Sequence, residues 1–187
     1  DVLGSRGLGD VYKRQIIDGL ELSLSLEEDF KILEENFRQQ IGEEYAASRG
    51  EYLNGKIMAD YLGFTFVDPA EMIRFDGNGQ FDAEITEALV AKRLKDVTEA
   101  VVPGFYGAKE NGEIKTFSRG GSDITGSIIA GALDVELYEN WTDVSGVMVT
   151  DPRIINNPKS IDTITYRELR ELSYMGATVL HLSLIHI

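Results

Sequence analysis

Apolar residues return every three or four positions along much of this chain, a spacing that predicts helices with one inward face. Leu26, Phe30, Leu33, Phe37 and Ile41 recur in this way. Ser25 with Glu28 adds the pattern of a capping box, in which a hydroxyl and a carboxylate each serve a backbone N–H at a helix start. A second helix is expected from about Glu51 to Leu62, burying Leu53, Ile57, Met58 and Tyr61, with Gly63 free to take the left-handed stop. Phe64-Thr-Phe-Val67 then reads as a short buried strand ended by Asp68-Pro69. A thinner stripe through Ile85, Leu89 and Leu94 predicts a helix over 81–97, feeding a strand at Ala100-Val-Val102.

Asn111-Gly112 marks a hairpin, because a tight two-residue turn needs positive φ at both central positions and this pair tolerates it best. It joins an arm at Phe105-Tyr106 to a strand over 114–117. After Gly120-Gly121 a helix is expected over 123–133 with Ile124, Ile128, Ala132 and Leu133 inward, then a strand around 137–141. Thr165 and Glu168 repeat the capping-box pattern, opening a helix that buries Leu169 and Leu172 and stops at Gly176. Helices alternating with short strands predict an α/β sandwich. Residues 1–15 lack a clean period and 182–187 form an apolar tail; Gly4, Gly7 and Gly9 follow no strand, which argues against a phosphate loop there.

With 187 residues, 43% of them of apolar type, the chain can bury one sizeable core. A formal charge of −14 speaks against nucleic acid or an anionic membrane as partner, since either requires a cationic footprint. Any anionic ligand must be held by local Arg, Lys and backbone N–H groups against that field. Cysteine is absent, which removes disulfides, thiolate zinc sites and a Cys nucleophile. No apolar run approaches the roughly 20 residues a membrane helix needs, so a soluble, cytoplasmic protein is expected. His181 and His186 are the only histidines, which argues against a multi-histidine metal centre, and no G-x-S-x-G elbow supports a Ser-His-Asp hydrolase.

Three stretches carry chemistry. In Thr116-Phe117-Ser118-Arg119-Gly120-Gly121-Ser122-Asp123 an expected strand runs through two glycines into a helix start. Free N–H groups there attract negative charge, glycines let a ligand approach the backbone, and Arg119 can grip a carboxylate with two parallel hydrogen bonds. Ser122 or Asp123 capping a core helix fits the same residues equally well. The second stretch is Trp141-Thr142-Asp143-Val-Ser-Gly146, continuing to Thr150-Asp151-Pro-Arg153, a polar loop at the carboxyl end of an expected strand, where ligands of open α/β sheets bind. An ordinary Asp-Pro turn is the competing explanation. The third is Ala47-Ser48-Arg49-Gly50-Glu51, where Glu51 suits an ammonium group but, in a first helical turn, also suits the helix dipole.

Taken in order, these stretches resemble the aspartate kinases of the amino-acid kinase family. Phe117-Ser-Arg-Gly-Gly-Ser-Asp-Ile-Thr-Gly126 is similar to that family's arginine–glycine–glycine–serine–aspartate signature, and Trp141 to Gly146 with Thr150 to Arg153 is similar to its nucleotide loop. Arg49-Gly-Glu51 comes first, Val102-Pro-Gly-Phe-Tyr-Gly107 lies just before the signature, and Gly176-Ala-Thr-Val-Leu-His181 follows the nucleotide loop. The resemblance covers roughly Ile16 to His181. It implies a three-layer αβα sandwich of the carbamate kinase-like type, incomplete at both ends. It also implies ATP-dependent phosphorylation of the side-chain carboxylate of L-aspartate, the first step towards lysine, threonine and methionine.

By the same resemblance Glu51 takes the α-ammonium of aspartate, Arg119, Gly120, Gly121, Ser122 and Asp123 hold and orient the substrate, and Thr142, Asp143, Asp151 and Arg153 contact ATP. Arg119 and Asp123 are the residues closest to catalysis in this scheme. Magnesium is implied as cofactor, with no protein ligand assignable, and the whole protein is expected to be a homo-oligomer. The sequence departs from the family at three points. It contains no lysine–phenylalanine–glycine–glycine loop, Met148 stands where some relatives carry an aromatic residue, and Thr178 where several carry a nucleotide-contacting lysine. The expected division is an extraneous 1–15, a partial catalytic domain over 16–181 and an extraneous 182–187, the family's regulatory domains following His181 being absent. A sibling kinase acting on acetylglutamate, carbamate or a nucleotide, and a binding module without turnover, are the alternatives.

Overall fold

The computed structural model describes residues 2–118, 120–141, 148–150, 155–156 and 158–174. The chain divides into two units, Asp1–Thr116 and Phe117–Ile187. The first holds four helices, α1 (Val2–Gly19), α2 (Glu27–Arg38), α3 (Glu43–Leu62) and α4 (Ala83–Leu94). Its five strands are β1 (Thr65–Phe66), β2 (Arg74–Phe75), β3 (Ala100–Val101), β4 (Tyr106–Lys109) and β5 (Ile114–Thr116). They form two small sheets. β1 runs parallel to β3 with Thr65 opposite Ala100, and the other sheet has the order β2-β4-β5, its first pair parallel and its second antiparallel. The expected α/β class is borne out.

One core cluster of this unit is built where α1, α2 and α3 meet. Ile17, Leu26, Phe30, Leu33, Leu53 and Ile57 form one buried apolar cluster, flanked by Phe37, Tyr45 and Tyr52. Burial of Leu26, 2% exposed, decides where α2 begins. Leu26 occupies the cap position, so the capping box expected from Ser25 and Glu28 does not form: Ser25 Oγ lies 3.5 Å from the Glu27 N–H, at the limit of a hydrogen bond.

α3 starts eight residues earlier than its apolar stripe suggested, and Gly50 lies inside it. It is packed on two faces, which erases a single stripe. Leu53 and Ile57 enter the helical core, while Gly55 brings the backbone against the opposite neighbours, where an added Cβ would stand 2.5 Å from Pro103 Cγ and 3.2 Å from Phe66. Met58 and Tyr61, expected inside, are exposed. The left-handed stop at Gly63 is present, with φ +72°.

In α4 the inward stripe is Thr86, Val90 and Leu94, and Ile85 faces solvent. Thr86 is inside because its hydroxyl accepts the Arg74 N–H at 3.0 Å. The hairpin at Asn111-Gly112 is present with a different turn. Gly112 alone takes positive φ, +85°, while the Gly112 N–H reaches Lys109 O and the Lys109 N–H reaches Glu113 O, giving a three-residue loop with a glycine bulge.

The second unit contains α5 (Gly121–Ala132) and α6 (Tyr166–Tyr174). Ile124 and Ile128 of α5 are buried as expected, while Leu133 is 39% exposed. Residues 137–141 form no strand, and Leu137 and Trp141 are exposed at 73% and 87%, so the apolar character of that run does not translate into burial. The capping box that opens α6 is complete: Glu168 Oε2 accepts the Thr165 N–H at 2.9 Å, and Thr165 Oγ1 accepts the Glu168 N–H at 3.3 Å. The stop expected at Gly176 lies outside the described residues.

Candidate functional site

Glu51 stands in the middle of α3, not in its first turn. That placement removes the helix-dipole explanation, because the dipole acts over the terminal turn only. The side chain is exposed and makes no hydrogen bond or ion pair among the described residues. The surroundings show its charge acting on a neighbour. Lys13 of α1 donates from Nζ to Asn54 Oδ1 at 2.9 Å, one turn along from Glu51. Burial pushes the Lys13 ammonium towards the neutral form, and the negative charge of Glu51 opposes that push.

Two residues earlier, Arg49 is buried, 8% exposed, and pairs with no carboxylate among the described residues. Its guanidinium instead stacks over the rings of Tyr45, Tyr52 and Tyr106 at 4.7, 4.6 and 5.2 Å, and donates from Nε and Nη2 to Ser48 Oγ at 3.1 and 2.9 Å. Each desolvated stack of this kind is worth up to about 2 kcal/mol, which offsets the cost of burying the cation. The tyrosines pass the charge balance outward. Tyr106 donates its O–H to Asp68 at 3.0 Å, and Tyr52 donates to Asp29 at 3.1 Å, whose carboxylate also takes the Lys56 ammonium at 2.7 Å. Burial, reinforced by these carboxylates, raises both phenol pKa values far above the ordinary tyrosine range. This cage was missed in the sequence, although Tyr45, Arg49 and Tyr52 stand at i−4, i and i+3, on one helical face.

In the second unit Gly120 opens α5 as its cap, with φ +60° and no side-chain cap hydrogen bond among the described residues. Neither Ser122 nor Asp123 is the cap, so that competing explanation falls. Both lie in the first turn; Ser122 is exposed and Asp123 half-buried, and neither side chain has a partner among the described residues. The Asp123 carbonyl accepts a long contact from the Tyr138 O–H at 3.5 Å. Arg119 lies outside the described residues, as do Thr142, Asp143, Asp151, Arg153 and His181.

A groove of the first unit lies elsewhere. It holds about 480 Å³ between the start of α3 and the β4–β5 hairpin, lined by Ile41, Glu43, Glu44, Tyr45 and Glu113 among others, and it contains none of the candidate residues. Among the described residues no group of three His, Cys, Asp or Glu side chains could hold a metal ion. No helix among them is long and apolar enough to cross a membrane.

The sequence profile of the amino acid kinase family matches residues 2–187. The chain belongs to the amino acid kinase family. Its amino acid kinase relatives include aspartokinase 3 of Bacillus subtilis, 43% identical over 141 residues, an alignment covering 71% of this chain and 31% of that protein. Among solved structures, the aspartate kinase of Clostridium acetobutylicum matches with a TM-score of 0.86 and 45% identity, over 97% of this chain and 41% of that one. Escherichia coli aspartokinase III, in complex with aspartate and ADP, matches with a TM-score of 0.77 and 27% identity, over 95% and 45%. The chain therefore spans less than half the length of each of these three relatives.

Proposed function

We propose that this chain carries part of the catalytic domain of an aspartate kinase, with L-aspartate as phosphoryl acceptor and ATP as donor. The observation that carries this is the 45% identity to an aspartate kinase over nearly the whole chain, and the E. coli relative holding aspartate and ADP points to the same pair of ligands. Glu51, exposed and without a hydrogen bond among the described residues, receives the α-ammonium of the substrate. Arg119 clamps a carboxylate, and the free N–H groups of Gly120 and Gly121 with Ser122 and Asp123 orient the acceptor. Thr142, Asp143, Asp151 and Arg153 serve the nucleotide.

Phosphoryl transfer depends mainly on alignment and charge cancellation, because an anionic carboxylate must approach an anionic phosphate. Magnesium supplies part of that cancellation when bound, and in nucleotide sites it is carried largely by the phosphates themselves. A cytoplasmic setting and a homo-oligomeric whole protein belong to the same proposal. The sequence holds no lysine–phenylalanine–glycine–glycine loop, so turnover by this chain should be weak: loss of a comparable phosphate-facing cation costs on the order of 10³ to 10⁵ in rate.

Calorimetric titration with L-aspartate and with Mg–ATP, alongside a coupled assay for aspartate-dependent ADP release, tests the proposal. Binding of both ligands with slow ADP release is expected. Preference for acetylglutamate, carbamate or a nucleotide acceptor in the same assay would replace it by a sibling activity, and binding without any ADP release would leave a ligand-binding module.

A further inference from the structure

We infer that Arg49 is a positioning residue for substrate binding: by wedging its guanidinium between three tyrosines it fixes the rotation of α3 and so the place of the Glu51 carboxylate. This rests on the proposed role of Glu51. An arginine that served only to fill space would be a costly choice, because a buried cation without a carboxylate loses its hydration. Here the cation is held by ring faces on two different elements. Tyr45 and Tyr52 belong to α3 itself, while Tyr106, fully buried, opens β4. A flat guanidinium stacked against Tyr106 leaves α3 little freedom to turn about its axis, and Glu51 is two residues further along that helix.

The partner is itself closely held. Tyr106 is tied to Asp68, which also accepts the Ala70 N–H at 2.9 Å. Gly107, next in β4, lies so close to the neighbouring strand that a Cβ would stand 2.5 Å from Ile73 O. Phe105, immediately before, is held at φ +76°, a left-handed conformation that a bulky side chain adopts only under constraint. A rigid anchor of this kind is what a positioning contact requires, and the strained residue at its edge is the sort of feature that clusters at ligand sites.

The test is a double-mutant cycle read by calorimetry on the full chain, with Arg49→Lys, Glu51→Gln and the double variant titrated with L-aspartate and separately with Mg–ATP. Lysine keeps the charge and loses the flat stack. Arg49→Lys should weaken aspartate binding about tenfold and leave Mg–ATP binding within about twofold, and in the Glu51→Gln background it should have almost no further effect, a coupling of about tenfold. Additive losses, an equal loss of nucleotide affinity, or unchanged aspartate affinity in Arg49→Lys would overturn the inference. If Glu51→Gln alone leaves aspartate binding intact, the proposed role of Glu51 fails instead. Tyr45→Leu, which removes one stack from a half-exposed position, guards against a folding defect in Arg49→Lys. It should weaken aspartate binding by about threefold in the same coupled manner, and no loss there would equally overturn the assignment.

Discussion

At the scale of single residues, close backbone approach sets the tightest limits. Gly107 permits β4 to lie against Ile73, whose carbonyl also accepts the Ala108 N–H at 3.0 Å. Gly107→Ala would place its methyl 2.5 Å from that oxygen and 2.7 Å from Ile73 Cβ, so the strand must shift. A loss of about 1–3 kcal/mol in urea denaturation is expected, with the midpoint moving and the slope unchanged. A wild-type midpoint would show that the strand yields without cost. Nothing in the sequence around Gly107 announces this contact, because it depends on which strand becomes the neighbour. The cage around Arg49 was half legible, since its two helical tyrosines follow from spacing and Tyr106 does not.

At the scale of elements, glycine misled where burial was decisive. Gly50 reads as a helix boundary, yet it lies inside α3, and a methyl added there would meet nothing within 4 Å, so it contributes flexibility without a packing reason. Gly50→Ala should stabilise the protein by about 0.5–1 kcal/mol, seen as a higher melting temperature, and destabilisation would mean the helix is broken there in solution. The N-terminal boundary of α6, by contrast, was readable because its box is local chemistry. Hydrogen bonds from the Thr165 backbone, then from its hydroxyl, hold Glu168 below the ordinary carboxylate range. A lowered folded pKa adds stability above the unfolded value and loses it as pH falls through the folded one. Helical signal from α6 should therefore fade below about pH 4.5, and Thr165→Ala should flatten that dependence while lowering helical content at neutral pH. The expected strand over 137–141 failed for the opposite reason: among the described residues Leu137 and Trp141 stay exposed, and only tertiary partners can make such an apolar run a strand.

At the scale of the whole molecule, the α/β class and the order of motifs were legible because alternation and turn chemistry are written locally. The strand β2 and the two-faced packing of α3 were not, since both arise from which elements meet. The buried polar web of the first unit ties its helices to its strands and gives a pH signature of its own. Tyr52 and Tyr106 have folded pKa values raised above the ordinary 10.0, first by burial and then by Asp29 and Asp68 respectively. Their contribution is complete below pH 10 and is lost as pH rises past it. Phenolate absorbance from these two rings should accordingly emerge together with unfolding, and its appearance in a chain that keeps its native circular dichroism would contradict the web. The meeting of Gly55 with Pro103 extends to heredity. Since α3 rests there on a pyrrolidine ring with no room for a methyl, the two codons form a lock and key: a library randomised at both should return larger side chains at 55 only beside smaller ones at 103.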